Sequence, residues 1–128
     1  MLNIGSDTIC RLIDLAREFH AQEEVSIPEE PANPSGDWAV QMLASHADDA
    51  TFQEFKAIVE DLEPDQQQEV VALLWLGRGD YSKGEWRDAL EQAADSWNFE
   101  TAEYLIAHPL LADYLDRGLD LFGYRCNE

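Results

Sequence analysis

Apolar side chains along this sequence recur every three or four positions, the interval that places them on one stripe of an α-helix. Ile9, Leu12, Ile13, Ala16 and His20 form such a stripe, with Arg11, Asp14 and Glu18 opposite. They predict a first helix over about residues 7–21, capped by Ser6 or Asp7. A second helix is expected over about residues 37–46, carrying Trp38, Val40, Met42 and Leu43. Thr51 to Glu54 matches a capping box, in which hydroxyl and carboxylate satisfy each other's backbone N–H groups. It opens a third helix with Phe52, Phe55, Ile58, Val59 and Leu62. Pro64 suits a first helical position, where its missing N–H costs nothing, and starts a fourth helix ending near residue 77. Ser82 to Glu85 is a second capping-box match, followed by a fifth helix with Trp86, Ala89, Leu90, Ala93 and Trp97. Phe99, Ala102, Leu105 and Ile106 mark a sixth helix. Pro109 opens a seventh, with Leu110, Leu111, Tyr114, Leu115, Leu121 and Phe122.

The fourth helix differs from the others. Val70 to Leu76 is apolar at every position, so this segment is greasy around its whole circumference and must be wrapped by neighbours. Gly77 and Gly79 give it a stop. Pro28, Pro31 and Pro34 forbid helix within about residues 25–36 and favour an extended loop, with Val25 and Ile27 as its anchors. No stretch alternates with a period of two, no Asn-Gly or Asp-Gly hairpin signal occurs, and no solenoid repeat is present. The expectation is a single all-α domain over residues 1–128. It has six or seven short helices packed around a central buried helix at about residues 64–77, and no sheet.

Charge narrows the classes of partner. Asp and Glu number 27 against 8 Lys and Arg, a formal net charge of −19. Such a surface repels phosphate backbones and anionic lipid, so neither direct nucleic-acid binding nor membrane docking is expected. A basic protein or self-association is the expected kind of partner. The first residues carry neither a basic nor an apolar leader segment, and no apolar run is long enough to span a bilayer. A reducing cytoplasm with free thiols is therefore the expectation for Cys10 and Cys126. Their pairing is the alternative, because chain termini often lie close together.

Two polar clusters carry the candidate chemistry. His46, Asp48 and Asp49 offer one nitrogen and several carboxylate oxygens, the donors a divalent ion takes. Their spacing matches no established metal motif, and the preferred reading is a turn in which Asp48 or Asp49 bonds backbone N–H groups ahead of the third helix. Arg78 leaves the central helix between two glycines, beside Asp80, where a guanidinium is placed to clamp a carboxylate or phosphate. Here too an internal pairing, with helix carbonyls or with an acid across the turn, is preferred. Arg78-Gly79-Asp80 also spells an integrin-type tripeptide, which is read as chance. His20 is expected on the inner face of the first helix, and His108 as a cap before Pro109. The acids recur on polar helix faces, as in Asp88, Glu91 and Asp95, and read as solvated surface. No phosphate loop, HExxH or Gly-x-Ser-x-Gly elbow occurs. Neither a cofactor nor a resident metal is assigned.

Several stretches together resemble a bacterial, mainly proteobacterial, family catalogued as domain of unknown function 3775. They are Ala44-Ser45-His46-Ala47-Asp48-Asp49-Ala50-Thr51, the run from Val70 to Asp80, the Glu85-Trp86 pair, the string from Tyr104 to Leu115, and Asn33-Pro34-Ser35. The resemblance implies a helical domain and carries over no activity. The function expected is that of an acidic cytoplasmic interaction or regulatory module without catalysis. Two alternatives stand beside it: a nucleic-acid mimic that binds a basic protein, and a small metal-binding or enzymatic domain built on His46, Asp48, Asp49 and Arg78.

Overall fold

The computed structural model describes residues 2–21 and 49–126; the expected second helix and the proline-rich loop lie outside them. Among the described residues there are six α-helices and no strand: α1 (Ser6–His20), α2 (Ala50–Glu60), α3 (Pro64–Arg78), α4 (Trp86–Ser96), α5 (Thr101–Ile106) and α6 (Leu111–Leu121). A 3-10 turn, Lys83–Glu85, leads into α4. No helix among these residues is long and apolar enough to cross a membrane.

Helix α3 is the centre. Val70 to Leu76 are each no more than 3% exposed, as an all-round apolar helix demands. It packs chiefly on α6 and α4, with α5 alongside; α1 bridges α6 and α2. The contributions of Ile9, Leu12, Ile13 and Phe19 from α1, Phe52, Phe55 and Val59 from α2, and Leu105 and Leu111 join one continuous core.

Helix ends follow local chemistry, with two departures from expectation. Helix α2 is capped by Asp49, whose Oδ1 accepts the Phe52 N–H at 3.0 Å. Thr51 lies inside the helix and closes no capping box. Asp49, two residues earlier, caps the Phe52 N–H as the turn reading of that segment expects, so the helix starts before Thr51; a carboxylate there also suits the positive helix start. Helix α6 begins at Leu111 rather than Pro109, because His108 to Leu110 form the turn after α5. The Ser82–Glu85 capping box is present, on the 3-10 turn. Helix α3 ends in a Schellman motif: Asp80 N–H reaches the Trp75 carbonyl at 2.9 Å and Gly79 N–H the Leu76 carbonyl at 3.2 Å.

Cys10 on α1 and Cys126 beyond α6 are bonded to each other, with Cα atoms 5.5 Å apart. The expectation of free thiols is thereby corrected. The packing of α1 along α6 brings the start of one and the tail of the other within disulfide reach.

The α3–α6 crossing is made by two glycines. A Cβ on Gly77 would fall inside the Tyr114 backbone, 2.8 Å from its Cα and closer still to its carbonyl. A Cβ on Gly118 would meet the Leu73 carbonyl oxygen at 2.8 Å. Alanine raises helix propensity by about 1 kcal/mol over glycine, but overpacking a rigid contact costs about 1–3 kcal/mol or more. Overpacking should win. Gly77→Ala is expected to destabilise the chain by roughly 3 kcal/mol, more than Gly118→Ala, as read by urea unfolding. A gain in stability for Gly77→Ala would overturn this account of the crossing.

Candidate functional site

Of the residues singled out from sequence, His46 and Asp48 lie outside the described residues. Asp49 is the cap of α2. Arg78 and Asp80 are brought together: Asp80 Oδ2 accepts from Arg78 Nε at 2.9 Å and from Nη2 at 2.7 Å. The Schellman turn causes this pairing, since it folds Asp80 back beside the last turn of α3. Arg78 also lies within hydrogen-bonding reach of the Tyr104 hydroxyl. That hydroxyl accepts the Trp75 indole N–H at 2.9 Å, and the Trp75 ring leans on Tyr81. Burial pushes the Tyr104 hydroxyl pKa up, against the opposing pull of Trp75 and Arg78. Arg78 and Asp80 are thus engaged with each other at the foot of the central helix. Asp49 shares no hydrogen bond or ion pair with them.

The two described histidines serve backbone carbonyls. His108 is fully buried, and its Nδ1 donates to the Tyr104 carbonyl at 2.9 Å, capping the end of α5. His20 is half-buried, and its Nε2 donates to the Ile106 carbonyl at 2.7 Å, tying α1 to α5. A carbonyl only accepts, so these ring nitrogens carry the protons. Burial lowers the His20 pKa, opposed by the bond to Ile106.

Three buried amide and carboxylate side chains escaped sequence reading. Glu69 accepts the backbone N–H groups of Asn3 and Ile4 at 2.9 Å, fixing the chain start on α3. Gln67 donates to the Val59 and Leu62 carbonyls at 3.0 and 3.2 Å and accepts the Trp97 indole N–H at 2.8 Å. Glu103 is held by Lys56 at 3.0 Å, and raises the pKa of that ammonium. A run such as Gln66-Gln67-Gln68 gives no sign of which member turns inward. Among the described residues, no group of three or more His, Cys, Asp or Glu side chains is arranged to hold a metal ion.

The surface feature the sequence did not reveal is a hollow of about 330 Å³ between the end of α2, the start of α3 and the α4–α5 turn. Val59, Leu62, Pro64, Trp97 and Phe99 supply its apolar walls, Gln67 its floor and Glu60 its edge. Helix α4 stops at Ser96, so Trp97 and Phe99 stand on the connecting turn rather than on helix faces. Asn98 accepts the Glu100 N–H at 2.7 Å and shapes that turn. The two rings meet edge to face at 5.0 Å. Phe99, expected inside a sixth helix, is 84% exposed. The only legible signal was the break at Asn98 between two apolar periodicities.

A family model described as "Protein of unknown function (DUF3775)" matches residues 52–124, more than half of the chain. The matched region takes in the hollow, the central helix and α6. No curated protein and no solved structure matches the chain.

Two outcomes follow from these contacts. Tyr104→Phe keeps the ring but leaves the buried Trp75 N–H without its acceptor, which should cost about 1–3 kcal/mol in urea unfolding. A neutral substitution would show that this bond is not needed. For His20, the unfolded chain takes up its proton near the ordinary value of 6.5, whereas the folded chain does so only at lower pH. Stability from this residue is present above 6.5 and is lost as pH falls through the lower folded value. The stability difference between wild type and His20→Gln should shift against wild type on acidification from about pH 7.5 to about pH 5. A pH-independent difference would refute the assignment.

Proposed function

Because the chain belongs to the DUF3775 family, whose description carries no activity, we propose a function from its surface: a non-catalytic protein-interaction module of the bacterial cytoplasm. The partner it fits is a basic protein segment bearing one apolar anchor side chain. The observation that carries this reading is Phe99, a large aromatic ring left 84% exposed beside a pocket-forming tryptophan. Exposed aromatics at a hollow are the side chains that dominate binding energy at protein interfaces. Charge supplies the rest. Glu60 edges the hollow, Glu63 and Glu100 stand next to its wall residues, and the whole chain carries −19. Lysine and arginine around an apolar anchor complement that field and speed encounter. The same net charge opposes close approach of a second copy.

The test is selection of peptides from a random display library on the full chain, followed by affinity measurement. Selected peptides should be Lys- and Arg-rich around an aromatic or aliphatic anchor, and should bind more weakly as salt rises. Phe99→Ala should weaken binding at least tenfold without moving the Tm, since an exposed ring contributes little to folding. Peptides that lack basic residues, or that bind Phe99→Ala undiminished, would sink the proposal. So would a concentration-dependent dimer that buries this hollow.

A further inference from the structure

The Cys10–Cys126 bond sits where it can be opened without dismantling the core. Both residues lie outside the matched family region of 52–124, one before it and one after it. Both are only half-buried, so a small or protein thiol has access to them. Helix α1 is independently docked: Ile9, Leu12, Ile13, Leu15, Ala16 and Phe19 are fully buried. Its leading segment is held by the Glu69 carboxylate. The tail beyond α6 has much less. Phe122 rests edge to face on Trp86 at 4.9 Å, and Tyr124 N–H closes the helix end on the Leu119 carbonyl at 3.0 Å. Arg125 adds an exposed pair with Asp120 at 3.6 Å, a contact that contributes little in water. Past Tyr124 the covalent bond is the main fastening.

The tail also builds a surface. With α6 it borders an open hollow of about 430 Å³, lined on one side by Tyr124, Arg125 and Cys126 and on the other by Asp113, Asp116, Arg117 and Asp120. These acids are solvent-accessible with the tail in place, Asp113 and Asp116 facing Arg17 and Asp120 facing Arg125, so loss of the tail removes the cation beside Asp120.

We infer that Cys10–Cys126 is a thiol-responsive latch: its cleavage by a dithiol releases residues 125–126, takes Arg125 away from Asp120 and frays the Tyr124 bond that closes α6, while the helical body stays assembled. In the step, a thiolate of the dithiol attacks one sulfur of the bond and the other sulfur leaves as a thiolate. The second thiol of the reagent then resolves the mixed disulfide. The protein gains two electrons and two protons as two thiols, and the dithiol becomes a disulfide. In a reducing compartment, disulfides of this kind are characteristically transient and redox-sensing.

The experiment uses the full chain purified without reductant, with dithiothreitol as the probe. Alkylation after denaturation should label no cysteine before treatment and both after native treatment. Hydrogen exchange should then rise at least tenfold at Tyr124, the tail amide with a backbone bond to lose, and stay unchanged in 70–76, with the helical circular dichroism retained. Cys10→Ser and Cys126→Ser should both show the open exchange pattern without reductant. The latch is overturned by free thiols in the untreated chain, by a bond that yields only after unfolding in urea, or by tail exchange that reduction leaves unchanged. It is equally overturned if exchange rises throughout α1 and α3, which would make the bond a structural staple.

Discussion

Helices α3 and α6 touch backbone to backbone. Most helix pairs are held apart by side chains at axial distances of 8–10 Å; here Gly77 meets the Tyr114 backbone and Gly118 meets that of Leu73. The contact is reciprocal, a glycine of each helix against the partner's main chain. It sets the height at which α6 lies on α3, and α1 packs on α6 in turn. The position of α1 therefore depends on an approach that any side chain would block. An apolar segment buried on all sides needs neighbours on every flank, and the glycines let one of them come close enough to leave room for the rest.

Polar groups inside this core hold segments in place more than they offer chemistry. Glu69 receives the chain start, Gln67 ties the end of α2 to the turn after α4, and His20 ties α1 to α5. Gln67 and His20 bond carbonyls at or just past helix ends, and Glu69 bonds the N–H groups of the segment ahead of α1. Each also spares itself the cost of burial unbonded. The Trp75–Tyr104 pair does the same with side chains alone, at the place where Arg78 and Asp80 close the foot of α3.

The sequence made some of this legible and hid the rest for physical reasons. The run from Val70 to Leu76 declares its burial because no face of it is polar. Pro64, Gly79 and the Ser82–Glu85 box act within a few residues of themselves, so local chemistry suffices to read them. Thr51 misled because two helix starts two residues apart, one capped by its hydroxyl and one by the Asp49 carboxylate, both fit the local pattern, and only geometry chooses between them. Glu69 looked like any acid on a polar face, yet its partners are more than sixty residues away. Arg78 and Asp80 pair across one turn, and an internal pairing was readable from their spacing. The Trp97–Phe99 hollow was not, since it depends on where α4 stops and on which walls α2 and α3 bring to that turn.

The bond network under the hollow has a consequence for association. Its floor residue, Gln67, is fastened at both ends of its amide, to two carbonyls and to the Trp97 ring nitrogen. The tryptophan cannot swing away without leaving a buried acceptor bare. An incoming side chain therefore meets a wall already fixed in shape, so ordering that wall takes no further toll of entropy at the moment of contact. Rigid recognition of this kind favours ligands of one shape and rejects those that would have to remodel it.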